Sequence, residues 1–492
     1  MSIDPRAPIL VGAGQILQRN ESHEGSLDPL GLMEQAARRA AADARCRALL
    51  THLDSIRVPK GLWPYTNPGH ALRERLGAPG AETALSPISG NMVQRMISDG
   101  ARDIAAGVRD AVLVVGAEAE RSKRQAKKAG QELAWTQPEA PEPDRNFGKD
   151  DPGMTRDEFD AGIGQPAAIF TLYENAMRQA RGESLEDNRD RIARLWHGFA
   201  RVAETNPCAW TREAPSIETI RDETTDNRMI SYPYTKRLCA NMVVDLGAAV
   251  IVCSAELAER LGVPRDRWVF LQTATDCMET PLLSHRMDFR GVPALELAGK
   301  RALQLSGHEP ADFAHVDLYS CFPAAVQVAA ETLGFSLDDP LTVTGGLAYA
   351  GAPLNSYVLH SIATMMERLR GDPGSLGFVS SVGGAFSKHA FGIYSTEPAP
   401  SGFQYADLDA EAEKLPHRES VSGHEGEATV ETYVLRYDDA APSKAGFACL
   451  LDDGRRTWAK SEDPALLGEV LERESCGRRA RLKDGLLLGF AD

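Results

Sequence analysis

"SPISGNMVQRMISDGARDIAAGVRDAVLVVGAEAE", residues 86–120, is the stretch that decides the fold. Ser86 to Gly90 are turn-forming and small. From Asn91 to Gly107 apolar residues recur at helical spacing, and Ala111–Gly116 is a short continuous apolar run. The pattern predicts a turn, a buried helix and a buried strand that ends on small residues. Several enzymes hold a nucleophile at such a turn-to-helix junction, because the helix start lends partial positive charge to an anion or a thiolate. Here the junction offers Ser89, Gly90 and Asn91, and no cysteine.

The same grammar returns in the second half of the chain. "NSYVLHSIATMMERL", Asn355–Leu369, predicts a helix, and "SLGFVSSVGG", residues 375–384, predicts the strand after it. "VVDLGAAVIVCSAE", residues 243–256, reads as a buried strand running into a helix that ends near Leu261-Gly262. Two similar α/β halves follow from this, with a boundary at "LGVPRDR", residues 261–267, where Gly and Pro break the pattern. The halves are placed at 1–262 and 263–398.

Two regions depart from that grammar. Residues from about 120 to 233 begin with a charged, Pro- and Gly-rich stretch, "RSKRQAKKAGQELAWTQPEAPEPDRNFGKDDPG". Two helical segments follow it, "QPAAIFTLYENAMRQARG" and "RDRIARLWHGFARVAETN". This reads as an insertion into the first half, with Lys, Arg and aromatic residues suited to covering an anionic ligand. Residues 401–492 hold alternating short strands, "EATVETYVLRYD", "KAGFACLLDDGRRTWAK" and "GRRARLKDGLLLG", with turns at Asp453-Gly454 and Asp484-Gly485. That predicts a small β-barrel of OB-like type. Its 19 acidic and 12 basic residues do not suit a phosphate-tracking groove, so packing against the main body is its expected role.

Composition sets the remaining bounds. A 492-residue chain with 43% apolar content can bury several cores. The net charge of −16 disfavours nucleic acid and anionic lipid as partners. The opening "MSIDPRAPILVGAGQ" has no basic region followed by a long apolar run, and no stretch approaches the roughly 20 apolar residues of a membrane span. Eight scattered cysteines with no CxxC pair predict reduced thiols and a cytoplasmic location. "VGAGQ" lacks the third glycine of a dinucleotide fingerprint. The histidines and cysteines show no zinc spacing, so neither a metal nor a redox cofactor is expected.

Five segments in order carry a resemblance over roughly residues 6–397. They are "PILVGAGQ", "DIAAGVRDAVLVVGAEA", "VVDLGAAVIVCSAE", "DLYSCFPAAVQVAAETLG" and "GGLAYAGAPLNSYVLHSIATM". Together they resemble the thiolase superfamily, nearest its sterol-carrier-type members, and the tail resembles the extra C-terminal domain that some members carry. The resemblance implies a thiolase fold of two αβαβα-layered halves. It also implies coenzyme A thioesters as substrates without a permanent cofactor. Thiolases usually dimerise, which makes a homodimer the assembly to test.

Thiolases use an elbow cysteine as nucleophile, a histidine in HEAF or HDCF, a histidine in GHP, and a cysteine near the last glycine-rich loop. Carried over residue by residue, Gly90 falls at the nucleophile in the register set by "IAAG", and Pro87 falls there in the alternative register. "YSCF" puts Tyr319 at the histidine and keeps Cys321 and Phe322; "GAP" puts Ala352 at the GHP histidine; "SSVGGAFSKHAFG" puts Ser381 nearest the last cysteine. All four usual side chains have changed.

What the family would retain is backbone. The resemblance implies an oxyanion hole from the amides of Gly90, Gly383 and Gly384, where a single donor is worth about 3–4 kcal/mol to a transition state. Tyr319, Cys321 and His389 are the candidates for proton work or substitute nucleophile. Tyr349 and Asn241 are candidate substrate contacts, and Lys388 is a weaker candidate beside His389. The leading expectation is acyl-CoA acyltransferase chemistry with a rearranged catalytic set. The alternatives are a retro-aldol carbon–carbon lyase acting on a β-hydroxyacyl thioester through Tyr319, and a non-catalytic coenzyme A-binding protein.

Overall fold

The computed structural model describes residues 3–133, 135, 139–148, 153–439 and 441–491. The remainder of the Pro- and Gly-rich stretch, 134, 136–138 and 149–152, lies outside the described residues.

Continuous apolar runs become strands buried on both faces. Every residue of Ala111–Ala119 and of Asp245–Ser254 is buried. These strands belong to an eleven-stranded sheet. Ten of the strands run in the order Phe313–Asp317, Leu376–Gly383, Lys388–Ser395, Val269–Met278, Pro8–Leu17, Asp245–Ser254, Ala111–Ala119, Ser55–Val58, Glu82–Leu85 and Arg145–Asn146. The eleventh, Gln404–Asp407, pairs alongside Val269–Met278.

The sheet is mixed, and its centre is the short antiparallel contact Ile9↔Phe270 and Leu10↔Val269. Outward from that contact, both sides repeat one sequence of pairings: antiparallel, antiparallel, parallel. Two halves are thus built alike, and their strands join into one continuous sheet. Helices Met92–Ala105 and Tyr357–Gly371, the two predicted from the shared grammar, pack against that sheet and against each other. Arg57, fully buried on Ser55–Val58, fixes the first of them by pairing with Asp99 at 2.8 Å and Asp103 at 2.6 Å.

The insertion is packed into the core over much of its helical part. Helix Pro166–Arg181 is buried over most of its length, and Phe170, Tyr173 and Trp196 point into the core. Phe170 stacks on Phe322 with ring centroids 4.9 Å apart. Phe170 and Tyr173 also pack on Phe386, and Tyr173 on Phe289, all from the second half, while helix Pro166–Arg181 packs on strand Gly426–Asp438 of the tail as well. Strand Met229–Tyr232 pairs with strand Gly426–Asp438 at Tyr232↔Leu435, so insertion and tail share a second, seven-stranded sheet.

Buried polar contacts lock that junction. Arg178 pairs with Glu474, Asn175 Nδ2 donates to the Tyr433 carbonyl at 2.9 Å, and Thr432 Oγ1 donates to the Leu172 carbonyl at 2.6 Å. The fully buried Arg456 donates to the carbonyls of Leu283, Ser284 and Arg286 and pairs with Glu431.

Within the tail, Gly426–Asp438 pairs with Ala441–Leu450, and that strand with Arg456–Ser461. Arg456–Ser461 meets Leu486–Ala491, which pairs with Arg479–Lys483, which returns to Gly426–Asp438. Asp484 and Gly485 both have positive φ, 51° and 71°, as a two-residue hairpin turn requires.

Candidate functional site

The elbow forms where the sequence placed it, but it is closed. Ser86 Oγ donates to the Pro87 carbonyl, and Ser89 Oγ donates to Asn91 Oδ1 at 2.6 Å. Ser89 and Asn91 are buried against the last glycine loop. A β-carbon at Gly383 would lie 2.0 Å from Ser89 Oγ and 2.6 Å from Asn91 Oδ1. A β-carbon at Gly90 would lie 2.4 Å from the Val382 carbonyl oxygen and 2.6 Å from the Tyr319 hydroxyl. The phenol therefore occupies the space that a side chain at residue 90 would need, and the two loops interlock through Ser89 and Asn91.

Three other segments frame an open cavity of about 1010 Å³. Their backbones are stitched together. The Ala240 amide donates to the Cys321 carbonyl at 3.1 Å, the Asn241 amide to the Leu347 carbonyl at 3.0 Å, and the Ala352 amide to the Asn241 carbonyl at 2.9 Å. Segment 319–322 is held from below by Asp317. Its carboxylate accepts from Thr342, Thr344, Tyr357 and Ser361 side chains and from the amides of Val343 and Thr344. Tyr319 takes its place by donating its amide to Ser380 Oγ at 2.9 Å and setting its ring edge-on to Tyr357.

Tyr319, Cys321, Asn241, Tyr349 and Ala352 all line this cavity, so five positions distant in sequence are brought together. Gly90, Gly383, Gly384, His389 and Lys388 do not line it. His389 is fully buried beside Phe386, whose carbonyl is 3.3 Å from Nε2, and burial pushes its pKa down to about 3. Lys388 is buried at the start of strand Lys388–Ser395. Ser381 Oγ is spent on the Ala390 carbonyl at 2.8 Å. At the cavity's closed end, burial pushes the Tyr319 phenol and the Cys321 thiol well up, and lifts Cys239 to about 12. At neutral pH all three are protonated; the Cys239 thiol donates to the Thr235 carbonyl at 3.4 Å, and Tyr319 and Cys321 are the donors that face the cavity.

The rim has the opposite character. Arg124, Arg228 and Lys236 are exposed cations on it, beside Asp226. They come from the insertion and its flank, and with Arg237, Cys239 and Thr211 they are cavity residues that sequence reasoning missed. The adjacent cations in "TKRLCANMVVDLG" were the available signal. A cationic rim leading to a partly apolar chamber with neutral donors at its end suits an anionic, extended ligand with a carbonyl at its tip.

Comparison with known proteins bears on the same features. Residues 407–485 match the family described as the thiolase-like protein type 1 additional C-terminal domain. A monomeric SCP2-thiolase-like protein type 1 from Mycobacterium smegmatis is 30% identical, with 99% of this chain and 100% of that one covered and a TM-score of 0.84. The Ltp2–ChsH2(DUF35) aldolase shares the fold at 20% identity and a TM-score of 0.60, over 80% of this chain and 98% of that one. An acetyl-CoA acetyltransferase from Methanothermobacter thermautotrophicus is 25% identical over 217 residues, which span 39% of this chain and 55% of the relative's own length. A mixed α/β thiolase fold, a relative 30% identical over its whole length and a matching tail domain lead to one assignment: the chain belongs to the thiolase superfamily, as a thiolase-like protein of type 1 with the additional C-terminal domain.

Proposed function

We propose that the protein binds coenzyme A thioesters in the cavity between its insertion and its second half. The observation that carries this reading is the gradient along one chamber, from Arg124, Arg228 and Lys236 at the rim to Tyr319 and Cys321 at the closed end. The rim cations would meet the nucleotide phosphates, and the neutral donors would meet the thioester oxygen. In a chain of net charge −16, a local group of cations is also what draws an anionic ligand to this one face. Calorimetric titration with coenzyme A and acetyl-CoA tests the proposal. Saturable one-to-one binding that weakens in an Arg228→Glu, Lys236→Glu double variant is expected; absence of binding by the wild type sinks it.

For the chemistry, acyl transfer and carbon–carbon cleavage place different demands on the same residues. Covalent acyl transfer through Cys321 needs a thiolate, and burial holds that thiol protonated with no histidine among the described residues of the cavity wall to take its proton. The retro-aldol reading needs a donor to the enolate oxygen and an acceptor for the β-hydroxyl proton; the neutral Tyr319 phenol at the cavity's end is such a donor, and water admitted by the open mouth of the cavity takes the proton. We therefore rank cleavage of a β-hydroxyacyl thioester above acyl transfer. Turnover that survives Cys321→Ala and is lost in Tyr319→Phe supports the ranking; covalent acylation of Cys321 reverses it.

The remaining readings are proposals of the same kind. The circuit of five tail strands, with helix Pro464–Glu472 between the third and fourth, supports an OB-like barrel for 401–492. The divisions at 1–262, 263–398 and the insertion at 120–233 follow the repeated pairing order. Eight unpaired cysteines fit a reducing compartment such as the cytoplasm.

A further inference from the structure

We infer that Arg237 and Tyr349 form a second anion site inside the cavity, and that it takes a carboxylate carried on the acyl chain of the thioester. The inference rests on the coenzyme A-thioester reading and deepens it. Both residues line the chamber. Tyr349 is 3% exposed, and its hydroxyl is buried with no hydrogen-bond partner; the Arg237 Nε is likewise buried and unpartnered.

Their segments are joined, because the amide of Asn241, four residues after Arg237, donates at 3.0 Å to the carbonyl of Leu347, two residues before Tyr349. No carboxylate pairs with Arg237 among the described residues, and its backbone is pinned by the amide donating to Asn227 Oδ1 at 2.9 Å. Tyr349 is pinned too, because its carbonyl accepts the Thr211 amide at 2.7 Å.

Two donors held in place with nothing to donate to are arranged for an acceptor that arrives with the ligand. The guanidinium identifies that acceptor as an oxyanion, because its fixed fork of N–H groups matches carboxylate or phosphate oxygens. Arg124, Arg228 and Lys236 are exposed and supply the phosphates with partners at the rim. Arg237 is set deeper, with Nε withdrawn from solvent, which leaves the acyl portion as the source of the second negative charge. The substrate class is accordingly a thioester of a dicarboxylic acid.

The test compares butyryl-CoA with succinyl-CoA, which share a four-carbon acyl chain and differ in the terminal carboxylate. Calorimetric titration of the wild type is expected to give at least ~10-fold tighter binding of succinyl-CoA. Tyr349→Phe and Arg237→Gln are each expected to remove most of that preference, read as the ratio of the two affinities within each variant, with Arg237→Lys recovering part of it. Circular dichroism and melting curves establish that the variants are folded.

Equal affinity of the wild type for the two thioesters overturns the proposal. So does an Arg237→Gln variant that binds every coenzyme A compound more weakly but binds dephospho-CoA as the wild type does, since that assigns the site to a phosphate. Failure of the wild type to bind any coenzyme A compound defeats the cavity reading itself, and this inference with it.

Discussion

The two places where a thiolase would keep its main catalytic side chains have met different fates. At the elbow, where the family resemblance puts the nucleophile at Gly90, the space for a side chain is filled, by the Tyr319 hydroxyl from one direction and the Val382 carbonyl from another. At the "GAP" loop, where the resemblance puts a histidine at Ala352, the space is open, as part of a cavity of about 1010 Å³. The difference teaches that a missing catalytic group is not one kind of event. A filled vacancy ends covalent chemistry at that point, whereas an open one leaves room for a ligand.

Restoring the thiolase residue at each place is the sharpest way to break the comparison. Gly90→Cys puts atoms onto a backbone carbonyl that cannot rotate away, and a loss of about 3 kcal/mol or more is expected in chemical denaturation. Adding Tyr319→Phe to it should recover only the part due to the hydroxyl. A Gly90→Cys variant as stable as the wild type would show the elbow to be open after all.

Acid sensitivity comes next in size. His389 and His360 are both fully buried with pKa near 3, below the ordinary imidazole value. The unfolded chain therefore takes up their protons first, and each histidine contributes stability that is present above pH ~6.5 and is lost as pH falls toward 3, at up to about 1.4 kcal/mol per pH unit. Asp276 and Glu118 work in the opposite sense. Burial raises both to about 7, so their contribution is present at low pH and fades as pH rises through 4 to 7. The wild-type profile mixes the two, so the difference between His389→Gln and wild type is the informative quantity. It should change by about 1.4 kcal/mol per unit between pH 4 and 6. A flat difference would mean that His389 is hydrated.

At the open place, Ala352→His should cost less than about 1 kcal/mol, because the new ring enters the cavity and not a packed core. Its imidazole should titrate well above His389 by NMR. A loss matching that of Gly90→Cys would erase the contrast between the two loops. The smallest effect belongs to the rim, where Lys236→Ala alone should weaken coenzyme A by about threefold, and less in high salt.

Much of this architecture was legible because it is written locally. The apolar runs at 111–116 and 245–252 can only be buried strands, and the spacing in 91–107 and 355–369 can only suit helices packed along one face or more. The Asp484-Gly485 turn was readable for the same reason, since its conformation depends on two adjacent residues.

What could not be read depends on contacts between distant residues. That Tyr319 lies against Gly90 involves two residues 229 positions apart in the chain. The insertion's aromatic residues look like a ligand cover until Phe170 and Tyr173 are seen packed on Phe322, Phe386 and Phe289 of the second half. His389, a reasonable proton carrier by position, sits in strand Lys388–Ser395 and faces the core, because its register places it opposite Cys277. The cations of the rim come from residues 124, 228 and 236, and only the fold assembles them.

The contact between Tyr319 and Gly90 has an evolutionary corollary. A protein that had merely mislaid its cysteine could regain it by one codon change, but here that reversion would arrive in an already occupied seat. Return would need residue 319 to retreat and the strand bearing Val382 to shift before a sulfur could be accommodated, and neither step is useful without the other. The geometry thus works as a ratchet: packing around residue 90 opposes the arrival of a sulfur there, whereas the walls of the chamber have room to vary.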